Sequence, residues 1–157
     1  MLHLIREFAD QFVNFLSEDP VRATIPVEQR IGNNRDVFVL RENDAALAIT
    51  CVSYQSTIPE SERELFEVCD NACVAVFYTI WSYKPGAGRQ LLLDSAKYIT
   101  ENNPNIVRLV TLSPKTEMAR RFHLKNGALV YRENEETVNY EYVRSGRLMI
   151  NNCGMEQ

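Results

Sequence analysis

The stretch ACVAVFYTIWSYKPGAGRQLLLDSAKYITENNPNIVRLVTL, residues 72–112, decides the fold. Its first ten residues are apolar at nearly every position, which predicts a strand over 72–81 that is covered on both faces. A glycine-containing loop at 84–90 and an amphipathic helix over 89–101 follow, and a second apolar strand is predicted over 106–112. This order of strand, loop, helix and strand is typical of a βαβ unit, so we expect the two strands to be parallel neighbours.

The chain before this unit should supply a first helix and an antiparallel hairpin. Apolar residues recur at helical spacing over 3–18, and Pro20 limits this helix because proline disfavours α geometry in the residue before it. The connector that follows is predicted to contain a short helix. Two short apolar segments then flank a turn sequence, which predicts paired strands over 36–40 and 45–54.

The chain after this unit should supply a last helix and a second hairpin. The Ser-Pro pair at 113–114 is predicted to open the helix, since serine suits the N-cap and proline suits the first helical position. The Asn-Gly pair at 126–127 should end it, because glycine tolerates the left-handed conformation found there. Strands are predicted over 128–132 and 137–143, and a polar tail follows over 145–157.

Length and composition indicate one domain over residues 1–157. The chain has 157 residues, of which 45% are hydrophobic and 24% charged, the ordinary usage of a globular domain. Its net charge of −4 argues against a dedicated nucleic-acid binder. No run of about 18 apolar residues is present, so no membrane span is predicted. Arg6, Glu7 and Asp10 interrupt the apolar N-terminal pattern, which excludes a signal peptide, and we expect a cytoplasmic protein.

The cysteines do not indicate a metal site. They stand at Cys51, Cys69, Cys73 and Cys153, none in a C-x-x-C pair, and the chain holds only two histidines. Buried or free thiols in a reducing compartment are the expectation, with a reactive thiol at Cys73 as a minor alternative. No metal ligand is therefore predicted.

The loop Gly-Ala-Gly at 86–88 is a candidate anion site. Glycines let the backbone turn closely, and the first free N–H groups of the following helix point at a ligand. Lys84 and Arg89 would supply positive charge to a pyrophosphate. A dinucleotide fingerprint needs a third glycine where Leu91 stands, and a Walker loop needs Gly-Lys-Ser/Thr where 88–90 are Gly-Arg-Gln. A plain tight turn explains the loop equally well.

The order of elements and two motifs resemble the GNAT superfamily of N-acyltransferases. The family signature Gln/Arg-x-x-Gly-x-Gly/Ala aligns with YKPGAG at 83–88, where both glycines match and Tyr83 replaces Gln or Arg. The second signature, Asn-x-x-Ala-x-x-Phe-Tyr-x-x-x-Gly-Phe, aligns with TEMARRFHLKNGA at 116–128. The matching residues are Ala119, Phe122 and Gly127, and the departing residues are Thr116, His123 and Ala128.

This resemblance implies an α+β fold and a cofactor. The fold is a mixed, largely antiparallel sheet with helices on both faces and one central parallel strand pair. Acetyl-CoA or another acyl-CoA would lie where the two parallel strands splay apart, with its pyrophosphate on the backbone of 85–89. The implied cofactor-binding residues are Tyr78, Thr79, Ile80, Lys84, Pro85, Gly86, Ala87, Gly88, Arg89, Gln90 and Thr116.

The departures from the family pattern define the candidate catalytic groups. The family's tyrosine acid is replaced by His123, which titrates near neutral pH and becomes the candidate acid for the departing thiolate. Glu67 and Asp70 precede the central strand and are candidates for a base that acts through water. Tyr78 and Tyr54, expected to line the groove, are further catalytic candidates. A surface histidine, solvated acids and core tyrosines are the structural alternatives.

The implied function is transfer of an acetyl group from acetyl-CoA to a primary amine by direct attack, without a metal. Two alternatives stay open: a GNAT-like domain that binds CoA or a protein partner without catalysis, and an α/β domain for another phosphate-bearing ligand. An acidic chain is compatible with a polyamine, an aminoglycoside or a protein amine as acceptor, and charge does not choose among them. A homodimer also stays open.

Overall fold

Eight strands form one mixed sheet in the computed structural model, which describes residues 1–142. In chain order the elements are β1 (Leu2–Ile5), a 3₁₀ helix (Val13–Glu18), α1 (Val27–Arg30), β2 (Arg35–Glu42), β3 (Ala45–Gln55), a second 3₁₀ helix (Glu62–Phe66), β4 (Val74–Ser82), α2 (Ala87–Asn102), β5 (Arg108–Thr111), β6 (Ser113–Pro114), α3 (Glu117–Lys125), β7 (Ala128–Glu133) and β8 (Thr137–Tyr142). The predicted polar tail over 145–157 lies outside the described residues.

The sheet has the order β1-β2-β3-β4-β5-β8-β6, and β7 pairs with the strand β8. Strands β4 and β5 are parallel and α2 is the crossover helix between them, which confirms the predicted βαβ unit. The other strand pairs of the described sheet are antiparallel. The predicted α+β fold with one central parallel pair is therefore confirmed.

Both faces of the central strand are buried. Val76 and Tyr78 of β4 face a core that includes the 3₁₀-helix residues Leu16 and Leu65. Phe77 faces the opposite core, which α2 covers. Because successive strand residues point to opposite faces, a strand with two covered faces needs apolar residues at nearly every position.

The predicted helix over residues 3–18 is wrong. Leu2–Ile5 forms strand β1 against β2, with Leu4 opposite Phe38, and helical structure occurs only as the 3₁₀ helix Val13–Glu18. Leu4 packs on the α2 side of the sheet and Ile5 in the opposite core. This alternation has a period of two, which a short segment does not distinguish from helical spacing.

The predicted helix start at Ser113-Pro114 is also wrong. These residues form the two-residue strand β6, where Ser113 pairs with Val138 of β8. Helix α3 begins after Thr116, whose side chain accepts a hydrogen bond from the Ala119 N–H at 3.1 Å. Proline is tolerated at β6 because that strand lies at an edge of the sheet, where no further ladder bond is needed.

The cysteines agree in part with expectation. Cys51 and Cys69 are free thiols, and Cys51 is fully buried. Cys73 differs from the expectation of free thiols, because it is disulfide-bonded. Cys153 lies outside the described residues. Within residues 1–142, no helix has the length and apolarity needed to cross a membrane.

Candidate functional site

A groove opens where β4 and β5 separate. The two strands pair as far as Phe77, whose carbonyl accepts a hydrogen bond from the Leu112 N–H at 3.1 Å. The next residue, Tyr78, is an extra residue of β4 relative to β3, because Phe77 pairs with Val52 and Thr79 pairs with Cys51. It forms a bulge that bends the strand. On the other side, Ser113 pairs with β8 instead of β4. The strands therefore diverge, and no strand of the described part of the chain fills the space between them.

The groove has a volume of about 350 Å³. Its walls come from residues 77–82 of β4, from the segment leading into α3 and the inner face of that helix, and from Gly88 at the start of α2. Pro20 and Val21, which belong to the connector after the first 3₁₀ helix, also line it. The groove therefore extends from the point of strand separation to the first turn of α2.

Several residues named from the sequence meet in this groove. Six of them line it: Tyr78, Thr79, Ile80, Gly88, Thr116 and His123. The other predicted cofactor residues surround its α2 end. They are Lys84, Pro85 and Gly86, which are exposed in the loop, Ala87, which is buried, and Arg89 and Gln90, which are exposed on the first helical turn.

The two loop glycines serve different purposes. Gly86 is the N-cap of α2 and has φ +82°, a left-handed conformation in which a side chain is strained. Gly88 lies within the helix, and a Cβ there would sit 3.4 Å from the Phe122 ring. No side chain of residues 1–142 caps this end of the helix, so it can receive an anion. Lys84 and Arg89 flank it with positive charge.

His123 is buried, not on the helix surface. Its Nδ1 lies 2.7 Å from the Tyr142 hydroxyl, and its ring stacks on Tyr140 with centroids 5.0 Å apart. Burial lowers the pKa of His123 from 6.5 to about 4, so the imidazole is neutral near pH 7. The predicted role as an acid stays a prediction, but at neutral pH the residue offers a neutral N–H group rather than an imidazolium.

The other two catalytic candidates are placed differently, since Tyr78 lines the groove and Glu67 does not. The Tyr78 ring is 1% exposed and packs edge-on against Phe66, and burial raises the pKa of its hydroxyl well above the ordinary value. Glu67 is exposed on the loop after the second 3₁₀ helix, and Asp70 lines a separate cleft. Within residues 1–142, no carboxylate lines the groove.

Arg22 lies at the point of strand separation and was missed from the sequence. Its Nε donates to the Tyr78 carbonyl at 3.2 Å, and its Nη2 donates to the Leu112 carbonyl at 2.7 Å. One guanidinium therefore ties the two strands together where their own ladder ends. Its Nη1 is 3.3 Å from Glu62. These contacts join residues 40 to 90 positions apart, so no local sequence pattern reveals them.

A buried ion pair fixes the backbone beside Arg22. Asp19 and Arg30 approach to 2.7 Å, and their side chains are 0% and 1% exposed. Asp19 Oδ1 also accepts hydrogen bonds from the N–H groups of Val21 and Arg22 and from the Thr79 hydroxyl. Arg30 Nη2 donates to the Arg22 carbonyl at 2.7 Å. The connector at this point is thus held by buried charges.

No protein-family model and no curated protein matches the sequence. Solved structures do match. The chain is similar to the S. lividans PAT GNAT domain, with 13% identity over 90% of this chain and 88% of that chain and a TM-score of 0.63. It is also similar to the Campylobacter jejuni N-acetyltransferase PseH, with 11% identity over 92% of this chain and 99% of that chain and a TM-score of 0.61.

The chain has the GNAT-superfamily fold. This confirms the resemblance at the level of fold: the residues aligned with the first signature form the loop into α2, and those aligned with the second span α3. The chain is also similar to the malonyl-CoA decarboxylase from Cupriavidus metallidurans, with 15% identity over 91% of this chain and 60% of that chain and a TM-score of 0.73. The chain spans 35% to 60% of the length of the matched malonyl-CoA decarboxylases.

Proposed function

We propose that this chain is an acyl-CoA-dependent N-acyltransferase that transfers an acetyl group from acetyl-CoA to a primary amine. The observation that carries the proposal is the continuity of the site. One groove of about 350 Å³ connects the separation of β4 and β5 with the uncapped N-terminus of α2. A CoA thioester has the same layout, because an anionic pyrophosphate is joined by a narrow arm to a reactive thioester.

The residues present fit this cofactor. The pyrophosphate would lie on the N–H groups at the start of α2, between Lys84 and Arg89. The pantetheine arm would follow Thr79 and Ile80 of β4, beyond the last pair that this strand forms with its parallel neighbour β5. Thr116 uses its oxygen as the N-cap acceptor, so its hydroxyl proton is free to donate to a carbonyl of the arm.

The proposed reaction is a direct displacement. The neutral amine attacks the thioester carbonyl, a C–N bond forms, and the C–S bond breaks. The nitrogen loses one proton and the CoA sulfur gains one. Since no carboxylate of residues 1–142 lines the groove, that proton passes through water, and the chain contributes mainly by positioning the reactants.

His123 is proposed to assist the departure of the thiolate without being an imidazolium. Burial raises the pKa of the Tyr142 hydroxyl, so the phenol stays protonated and can donate to His123 Nδ1. The remaining proton of the neutral ring then sits on Nε2. From there it can donate a hydrogen bond to the sulfur as negative charge develops.

Ligand binding followed by turnover tests the proposal. Calorimetry should show that CoA and acetyl-CoA bind, and that ATP and NAD bind far more weakly. Release of free thiol from acetyl-CoA should then depend on an added amine from a panel of polyamines, aminoglycosides and lysine peptides. Absence of CoA binding, or equal binding of ATP and NAD, would contradict the proposal.

A matched pair of variants locates the cofactor. Arg89 and Lys97 are both exposed cations on α2, but only Arg89 lies on the first turn. Arg89→Gln should weaken CoA binding about tenfold, because a hydrogen bond to a charged group contributes about 1.5–3 kcal/mol and the exposure of Arg89 to water places it at the low end of that range. Lys97→Gln should leave CoA affinity unchanged. Equal effects of the two changes would argue against a pyrophosphate at the start of α2.

A second candidate is chemistry on a CoA thioester without an amine. Two observations favour it: the groove has no carboxylate base among the described residues, and the fold match to malonyl-CoA decarboxylase has a TM-score of 0.73. Incubation with malonyl-CoA alone distinguishes this candidate, since decarboxylation yields acetyl-CoA and carbon dioxide. CoA binding without either activity would identify a domain that binds CoA or a partner without catalysis.

A further inference from the structure

We infer that the segment Pro20-Val21-Arg22 is the end wall of the acyl site and restricts the acyl group to short chains. The inference rests on the proposed function, because the wall faces an acyl group only if a CoA thioester occupies the groove. It adds a specificity determinant that lies outside both aligned signatures.

The position of the wall follows from the contacts of Arg22. Its guanidinium bonds to the carbonyls of Tyr78 and Leu112, so the segment lies where β4 and β5 begin to separate. Pro20 and Val21 line the groove next to it. Gly88, at the pyrophosphate end, also lines the groove. A thioester bound with its phosphates at α2 therefore directs its acyl group toward Val21.

The wall is fixed at several points. The Val21 N–H donates to Asp19 at 2.7 Å, and the Arg22 N–H donates to the same oxygen at 3.0 Å. The Arg22 carbonyl accepts from Arg30 at 2.7 Å. Asp19 and Arg30 are fully buried and paired with each other. Moving the segment would break these hydrogen bonds to buried charged groups, so a long acyl chain is not accommodated by a small loop shift.

The Arg22 side chain, next to Val21, bridges the two diverging backbone segments. It is 11% exposed, and its three nitrogens bond to β4, to Leu112 and to Glu62. Displacing it would leave two strand carbonyls without their donors. The geometry thus favours acetyl and comparably short groups, and it disfavours chains that would have to pass between the guanidinium and the strands.

The test is the affinity ratio of octanoyl-CoA to acetyl-CoA, measured by calorimetry with CoA as the reference ligand. The wild-type chain should bind octanoyl-CoA about tenfold or more weakly than acetyl-CoA, the effect expected for forcing extra methylenes into a filled site. Val21→Ala should reduce this ratio to about threefold or less while CoA affinity stays within about twofold. Val68→Ala, at a valine that is 80% exposed, is the matched control and should leave the ratio unchanged.

Arg22→Met tests the side chain that holds the wall. It keeps an unbranched side chain of similar length but removes the three polar contacts, so octanoyl-CoA should gain affinity relative to acetyl-CoA. Thermal unfolding identifies a variant that fails to fold, and the Val21→Ala result then decides the inference. If Arg22 had a purely structural role, Arg22→Met would lower the stability of the chain without changing the ratio of octanoyl-CoA to acetyl-CoA affinity.

The outcomes separate the two proposals. If the wild-type chain binds CoA and acetyl-CoA but binds octanoyl-CoA equally well, the end wall is overturned and the proposed function stands. The same holds if folded Val21→Ala keeps the wild-type ratio. If the wild-type chain binds no CoA thioester, the proposed function fails and the end wall fails with it.

Discussion

Placing a carboxylate at Gly88 should abolish CoA binding while leaving the chain folded. A Cβ at this position would lie 3.4 Å from Phe122 Cε1 and 4.0 Å from Ser82 Cβ, and all three residues line the groove. The side chain of Gly88→Asp would therefore enter the space proposed for the cofactor. An acidic residue in the first turn of a helix is otherwise compatible with the helix dipole, so folding should be preserved.

The expected loss is large. Two unit charges at roughly 5 Å repel by about 3 kcal/mol at an effective dielectric constant of about 20. That energy corresponds to about a 100-fold loss in affinity, before any steric exclusion is counted. Gly88→Ala adds the Cβ without the charge, and its contact with the Phe122 ring is ordinary van der Waals contact. CoA affinity should fall only a few-fold in that variant.

Calorimetric titration with CoA measures these differences, and thermal unfolding checks that each variant is folded. Lys97→Gln changes the net charge by the same single unit on the same helix, about 13 Å farther along its axis. This control should bind CoA as the wild type does. A folded Gly88→Asp chain that binds CoA within about threefold of the wild type would refute the placement of the cofactor.

Three further predictions concern groups in and around the site. Burial lowers the pKa of His123 from 6.5 to about 4 in the folded chain. Between about pH 4 and 6.5 the imidazole is therefore protonated in the unfolded chain and neutral in the folded chain. The free energy of unfolding should fall by up to about 3 kcal/mol as the pH falls through this window. Urea unfolding of His123→Gln should lack this component, and parallel pH curves for the two chains would contradict it. Asp19→Asn leaves Arg30 charged and buried without its partner, so urea unfolding should show that the free energy of unfolding falls by about 3–5 kcal/mol. A fall below about 1 kcal/mol would mean that the pair is not buried as described. Glu67→Gln should leave turnover and CoA affinity within about twofold of wild type, because this carboxylate is exposed outside the groove, and a large fall in turnover alone would restore it as a base.

The parts of the fold that the sequence predicted correctly depend on local chemistry. The βαβ unit followed from apolar strands around an amphipathic helix, and the end of α3 followed from Gly127, which has φ +102°. The β1 strand and the start of α3 were mispredicted because their local signals are ambiguous. Ser113-Pro114 is a good helix start in isolation, but its pairing with β8 outweighs that preference.

The candidate site likewise contains residues that the sequence predicted and residues that it did not. Six residues that line the groove were found because the resemblance to the GNAT family pointed to them. Arg22 and Asp19 were not, because their function in the site depends on contacts with strands that lie far along the chain. The acyl end proposed for the groove is therefore built from residues outside both aligned signatures, and that is where the specificity of this chain should lie.

His123 shows why a motif position does not determine a protonation state. The alignment puts a titratable ring where the family has a tyrosine, and an unperturbed imidazole would be half protonated near pH 6.5. The partners that decide its charge, Tyr140 and Tyr142, come from β8 and close over the ring from the neighbouring hairpin. Their burial of the ring removes the imidazolium at neutral pH and leaves a fixed, neutral donor. In the proposed reaction, such a neutral donor would stabilise the departing thiolate by hydrogen bonding without supplying the proton itself, so the proton would come from the attacking amine.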